Sequence, residues 1–381
     1  MNNRIMGAVA DIGLGHIKRL LPVAKQLEQD GYEFHLCLSK RNCELARAEG
    51  FNRVYPVQEM SWVENAYGVD IPKTMYNIFR SINGKKSLIK ELLLEYRDIR
   101  YYTKLIKPTM AISDGNIPLL RRSMRSKILY VFITNVKQPQ YPFYLQIPFK
   151  LPQYFSERYM KHAEKIIFAD FPPPRTISAY SLGNPRKFKN IEFVGPLIDM
   201  QQPAGIKDEK FILVMASGTP QSRKRFLWQV APLLDQYCEK NGCTWKMLLG
   251  LNDSNLTQKN ELHEICGYVS TKEKEKMQRE CSVILQNASQ TTCFEAIKNL
   301  KPSLLIPTKN QPEQEGNARR MQEFGLGVYL REKEFERDFA PSIELIIDNM
   351  DYFSKNLREF GSYAKKFDGV GRTVDIIESL V

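Results

Sequence analysis

Five short stretches of this 381-residue sequence hold residue types that can do chemistry together. The first is Asp11-Ile12-Gly13-Leu14-Gly15-His16-Ile17. Gly13 and Gly15 let a ligand approach the backbone closely, and an imidazole that titrates near neutrality is a competent general base. The dinucleotide pattern GxGxxG would need glycine at 18, where Lys18 stands, so no cofactor site of that kind is expected. The second stretch is Ser113-Asp114-Gly115. A carboxylate at the end of a strand can orient a histidine and raise its basicity, although capping a turn is the commoner employment of Asp there.

The third is Asn287-Ala288-Ser289-Gln290-Thr291-Thr292, which opens a helix carrying Glu295. Hydroxyls with helix-start amides suit a diphosphate, and Glu295, one turn in, could accept from a ribose diol; an N-cap followed by a solvated Glu is the plainer alternative. The fourth runs from Pro307 to Ala318, with Gln311, Glu313, Gln314 and Asn317. Amides and a carboxylate in such a cluster fit the paired hydrogen bonds of sugar hydroxyls, or simply a polar surface loop. The fifth, Ala216-Ser217-Gly218-Thr219-Pro220-Gln221-Ser222, is a small-residue turn able to add phosphate contacts through Gly218 and Thr219. Neither a metal nor a cofactor is expected.

The positioning elements follow from the apolar pattern. Short runs at 5–10, 34–38, 53–57, 110–113, 128–133, 166–169 and 191–194 read as strands, and helical faces lie between them. Ile17, Leu20, Leu21, Ala24 and Leu27 fall on one such face, and Gly31 stops it. After the Pro- and Gly-containing stretch around 195–205 the rhythm restarts, with strands at 211–215, 245–249, 283–285, 303–306 and 328–330 and a helical tail over 343–367. The pattern predicts an α/β protein with two Rossmann-like, doubly wound domains facing across a cleft. Its expected divisions are 1–196, a linker at 197–209, a second domain at 210–350, and C-terminal helices at 351–381 that pack back on the first domain.

Charge is distributed unevenly over this plan. The chain has 55 Lys and Arg against 43 Asp and Glu, a net +12. Residues 1–196 hold 30 basic and 17 acidic side chains, whereas 197–381 hold 25 and 26, so the excess lies in the first half. With 43% hydrophobic residues, global disorder is excluded. Seven scattered cysteines without a CxxC pair argue for reduced thiols. No apolar run approaches the roughly 18–20 residues of a spanning helix. The start of the chain has no signal-peptide pattern. A soluble, cytoplasmic protein is expected.

Taken in order, the motifs resemble those of nucleotide-sugar glycosyltransferases of the GT-B fold, in particular the bacterial N-acetylglucosaminyltransferase that completes lipid II and the UDP-glycosyltransferases. Gly13-Leu14-Gly15-His16 is similar to the family's amino-terminal loop, and Val194-Gly195-Pro196-Leu197 to its interdomain segment. Thr292-Cys293-Phe294-Glu295-Ala296 with Lys301–Pro307 resembles the donor helix and next strand, and Glu313–Ala318 the sugar loop. The chain departs from the family at Asn287-Ala288-Ser289-Gln290, where relatives usually carry glycine.

The resemblance implies an inverting, metal-independent transfer from a UDP-sugar. His16 would deprotonate the acceptor with Asp114 as partner. Glu295 would hold the ribose and Ser289, Gln290, Thr291 and Thr292 the diphosphate, with Gln311, Glu313 and Gln314 facing the sugar. On the acceptor side, residues 137–162 interleave Tyr141, Phe143, Tyr144, Phe149, Tyr154, Phe155 and Tyr159 with Lys137, Lys150, Arg158 and Lys161. That composition suits an anionic membrane surface and a polyprenyl or other lipid acceptor, with peripheral attachment to the inner face of the membrane. Nucleic acid is a less necessary partner, because the half expected to bind the donor is close to neutral. A UDP-sugar epimerase of the same fold and a non-catalytic binding protein are the competing readings.

Overall fold

The computed structural model describes residues 3–10, 14–58, 63–65, 68–82, 84–135, 154, 157–182, 188, 190–203, 211–251 and 255–381. Its frame is two seven-stranded sheets. The first is built from β1 (Arg4–Val9), β2 (Glu33–Leu38), β3 (Val54–Pro56), β6 (Met110–Asp114), β7 (Leu129–Thr134), β8 (Lys165–Phe168) and β9 (Ile191–Phe193), in the order β3-β2-β1-β6-β7-β8-β9. All its pairings are parallel. A separate two-stranded hairpin, β4 (Glu64–Asn65) and β5 (Gly68–Val69), lies between β3 and β6 in sequence.

The second sheet comprises β10 (Phe211–Met215), β11 (Thr244–Leu248), β12 (Gln258–Lys259), β13 (His263–Cys266), β14 (Val283–Gln286), β15 (Ser303–Leu305) and β16 (Gly327–Tyr329). Its order is β12-β13-β11-β10-β14-β15-β16, parallel except for the β12–β13 edge. Every strand expected from the apolar runs is present, with bounds moved by a residue or so. The hairpin and the short β12 and β13 were not expected, because none is a buried apolar run of ordinary length.

Each sheet reverses strand order once, between β1 and β6 and between β10 and β14. Connections leaving in opposite directions open a crevice beyond the carboxyl ends of such strands. In the first domain, α1 (Gly15–Gln29) and α2 (Lys40–Ala48) cover one side of the sheet. α1 buries Ile17, Leu20, Leu21, Ala24 and Leu27, the face expected from its spacing, and Gly31 at φ 94° ends it in a conformation that glycine tolerates. Around the same sheet run α3 (Ile71–Asn77), α4 (Leu88–Ile106), α5 (Ile117–Ser126) and, further on, α6 (Ala179–Leu182). The second domain carries α7 (Pro220–Asn241), α8 (Thr271–Glu280), α9 (Gln290–Lys298) and α10 (Pro312–Glu323).

The C-terminal region divides into α11 (Phe335–Asp348), α12 (Met350–Ala364) and α13 (Gly369–Glu378), so the single helical tail expected over 343–367 is broken at Asn349. α12 packs on α9, with Leu357 and Phe360 in one cluster with Phe294 and Ile297. Phe171, from the first domain, is fully buried in that cluster and meets Phe294, Phe360 and Phe367 edge-on. α13 then returns to the first domain, where Val374, Ile376 and Ile377 join Ile17, Leu20 and Ala24 in one core. At that crossing a Cβ on Gly369 would lie 2.2 Å from the Pro196 carbonyl oxygen, so glycine is what permits the approach. Among the described residues no helix is long and apolar enough to cross a membrane.

Candidate active site in the interdomain cleft

The two crevices meet in one cavity of about 550 Å³, lined by both domains. Pairing of β1 with β6 puts Val9 opposite Asp114, and the Ala10 amide donates to the Asp114 carbonyl at 2.8 Å. His16, the second residue of α1, reaches Asp114 with Nδ1 2.7 Å from Oδ1. Asp114 is wholly buried. Burial would push its carboxyl up, but the Arg19 guanidinium and His16 outweigh that and hold it below the usual carboxylate range. Arg19 Nη2 also lies 2.9 Å from His16 Nδ1; where Nδ1 donates to the ionised Asp114, which only accepts, Nε2 is the basic nitrogen. Arg19 completes the set as a fork, donating from Nε to Oδ2 at 2.9 Å and from Nη2 to Oδ1 at 2.7 Å.

Across the cleft stands the start of α9. A Cβ on Gly15 would come 4.0 Å from Thr291 Oγ1, so the amino ends of α1 and α9 approach each other. Ser289 caps α9 by accepting from the Thr292 amide, and the two side-chain hydroxyls bond to each other at 2.9 Å. Thr292 Oγ1 also donates to the Ser289 carbonyl. These hydroxyls are thus spent on the cap, which leaves helix-end amides as the groups for an anion. Thr219 caps α7 in the same manner, following Gly218 at φ 93°. Asn287 ties the two turns together, accepting from the Ser217 amide at 3.0 Å and donating to the Ile306 carbonyl at 3.3 Å. Ala288 holds φ 58°, the left-handed conformation that a side chain opposes.

Glu295 lines the cavity one turn further along α9. Its carboxylate contacts the Lys274 ammonium and accepts from Gln278 Nε2 at 3.0 Å. Burial raises its pKa, but Lys274 and Lys18 more than offset that, leaving it below the ordinary value. Lys18 reaches into the cleft from α1. Its side chain keeps contact with water, yet the surrounding protein and the Lys274 cation draw its pKa down to about 8. Arg223 is buried beside the 216–222 turn, donating to the carbonyls of Gly218 at 3.1 Å and Gly250 at 3.0 Å, and burial brings its pKa down to about 10. Among the described residues no group of three or more His, Cys, Asp and Glu side chains could hold a metal ion.

Of the residues singled out in the sequence, Gly15, His16, Asp114, Gly218, Thr219, Ser289, Gln290, Thr291, Thr292, Glu295, Gln311, Glu313 and Gln314 all line this one cavity. Glu313 accepts from Asn135 of the first domain at 2.6 Å, and Gln314 accepts from the Thr308 amide at 2.8 Å. Asn317 does not line it; buried behind the wall, it donates to the carbonyl of the strained Ala288. Gly13 and most of the aromatic and basic stretch 137–162 lie outside the described residues.

Arg19, Lys274, Arg223, Asn135 and Asp170 were not foreseen as site residues. Arg19 had a signal, being three positions after His16 and therefore on the same helix face. Asp170 had one too, since it lies just past the carboxyl end of β8 as Asp114 lies at that of β6.

No family model matches the chain. It is 22% identical over 393 residues to an uncharacterised glycosyltransferase of Methanosarcina mazei, with 98% of each chain covered. In structure it is similar to the spinosyn rhamnosyltransferase SpnG complexed with thymidine diphosphate, with TM-score 0.69, 14% identity and coverage of 98% of this chain and 100% of that one. It is also similar to Acinetobacter baumannii MurG, with TM-score 0.64, 14% identity and 99% of each chain covered.

Proposed function

From the GT-B fold that this chain shares with those structures, we propose that it is a glycosyltransferase, moving a sugar from a nucleoside-diphosphate donor to an acceptor hydroxyl. The observation that carries this reading is the placement of the His16–Asp114 pair opposite the amino end of α9 across a single cavity. His16 Nε2 takes the acceptor proton while Asp114 holds the ring and steadies its positive charge. The acceptor oxygen attacks the anomeric carbon from the face opposite the diphosphate, so the configuration inverts. As the C–O bond to the diphosphate breaks, the leaving charge meets the α9 amides and the cations Lys18, Lys274 and Arg223. In this reading those groups, not a metal ion, receive it. Glu295 accepts from the ribose diol, and we read the nucleotide as uridine diphosphate.

We also read the acceptor as lipid-linked and presented at an anionic membrane. Support comes from α3, the turn that follows it and α4, where Tyr76, Phe79 and Leu93 respectively are 53%, 76% and 57% exposed. Among the described residues from 71 to 107, every exposed charged side chain is basic, including Lys73, Arg80, Lys86, Lys90, Arg97 and Arg100. Apolar side chains ringed by cations fit an anionic interface, and Met75 on the same α3 lines the cavity.

The test is a thermal-shift screen of nucleotide sugars, followed by transfer assays with the hit on free and vesicle-borne lipid acceptors. A donor that raises the melting temperature, and a product of inverted anomeric configuration lost in His16→Ala, are expected. Conversion of the donor sugar without any acceptor would overturn transfer in favour of epimerisation. Full turnover by His16→Ala would overturn the assignment of the base.

A further inference from the structure

Arg19, which forks onto Asp114, has one nitrogen left over, and that nitrogen crosses to the other domain. Nη1 donates to Oε1 of Gln290, the first residue of α9, at 3.2 Å. Nε2 of the same carboxamide donates to Asp170 Oδ2 at 3.0 Å, back in the first domain. Arg19, Asp114, Gln290 and Asp170 are all buried. Asp170 is itself fixed by its own loop, accepting from the amides of Phe171, Ile177 and Ser178 and from the Ser178 hydroxyl.

We infer that Gln290 is a positioning residue for the His16 base, supplied by the donor-side domain: its carboxamide, inserted between Arg19 and Asp170, holds the guanidinium that orients Asp114 and His16. The inference rests on the reading of His16 as the base.

The chemistry of the three groups leaves little choice at position 290. A guanidinium only donates, so the carboxamide oxygen must face Arg19 and its NH₂ must face Asp170. Glutamate would satisfy Arg19 but set two carboxylates against each other; lysine would satisfy Asp170 but repel Arg19. An apolar side chain would leave a buried donor and a buried acceptor unpaired. Both ends of Gln290 are therefore committed to the first domain, and its side chain is not a diphosphate ligand, although its helix is the one that faces the diphosphate. The base is fully oriented only when that helix is docked, so competence of the base and placement of the donor helix are the same structural event.

The experiment uses the full chain with 15N-labelled histidine. Only four histidines are present, and His16→Ala identifies the resonance of interest. Wild type should show one ring tautomer with a protected Nδ1 proton. In Gln290→Met, near in size but unable to bond either partner, exchange of that proton should rise at least tenfold in a protein that still unfolds cooperatively. In turnover, kcat should fall by about 10²-fold with a smaller change in donor KM. Unchanged His16 exchange in folded Gln290→Met would overturn the inference, leaving Gln290 as packing only. Should that variant not fold, Gln290→Asn, too short to reach both partners, decides in the same way. A chain that bound no nucleotide sugar would defeat the proposed function and still let this spectrum decide the role of Gln290.

Discussion

His16 and Asp114 are 98 positions apart in sequence and 2.7 Å apart in space. The pairing of β1 with β6 closes that gap, and Arg19 then fixes the carboxylate from the same helix that carries the imidazole. Removing the imidazole by His16→Ala should lower transferase turnover by about 10²–10⁴-fold, read in a steady-state assay with the identified donor. Asp114→Ala should be harder on the fold, because it leaves the Arg19 guanidinium buried without its anion. A loss of about 3–5 kcal/mol is expected in urea denaturation, and adding Arg19→Met should recover part of it.

Lys18 gives a pH signature. Its pKa lies at about 8 in the folded chain against an ordinary 10.5, chiefly because the cleft desolvates it and secondly because Lys274 stands near. Between those values the unfolded chain holds the proton more tightly, so this residue makes stability rise as pH climbs from about 8 to about 10.5. Below that window both states are protonated and the dependence stops. Lys18→Met should lack the rise. A nucleotide diphosphate bound beside Lys18 would restore its proton, so binding near pH 8.5 should take up protons. Titration calorimetry in buffers of different ionisation enthalpy measures that uptake, and equal heats in all buffers would exclude it.

Asn287 is the tie between the two anion-facing turns. Asn287→Ala frees the Ser217 amide and the Ile306 carbonyl from their shared partner. A loss of about 1–3 kcal/mol is expected in thermal or urea unfolding. Nucleotide affinity should weaken as well, because the amides of the 216–219 turn are then no longer held in place.

Gly369 is where the C-terminal segment crosses the linker. Gly369→Ala would place a methyl group against the Pro196 and Gly195 carbonyl oxygens, at 2.2 and 2.9 Å before any relaxation. The cost should be about 1–3 kcal/mol, and amide exchange in 370–378 should quicken more than exchange in β1. Equal protection in variant and wild type would show that the crossing yields without cost.

The strands were legible because each is a short apolar run between turn residues, and parallel strands buried on both faces read that way. His16, Asp114 and Glu295 were legible because strand ends and helix starts are where such sheets hold ligands. What could not be read was how polar side chains are shared between domains. Nothing in the spacing of Gln290, Arg19 and Asp170 tells that one carboxamide joins the other two, since that depends on the angle at which the domains meet. Nor could the sequence tell that the Ser289 and Thr292 hydroxyls satisfy each other. The break at Asn349 was missed because apolar residues recur at helical spacing on both sides of it.

The return of α13 to the first domain sets an order on biosynthesis. Val374, Ile376 and Ile377 belong to the core that Ile17 and Leu20 begin, yet they leave the ribosome only after the whole second domain. The usual sequence, in which an amino-terminal domain finishes folding while the rest is still being made, is therefore closed to this chain. Its first domain must wait with part of an apolar surface uncovered. A nascent chain arrested before residue 369 should expose that surface to chaperones, and emergence of Gly369–Glu378 should be what ends the exposure.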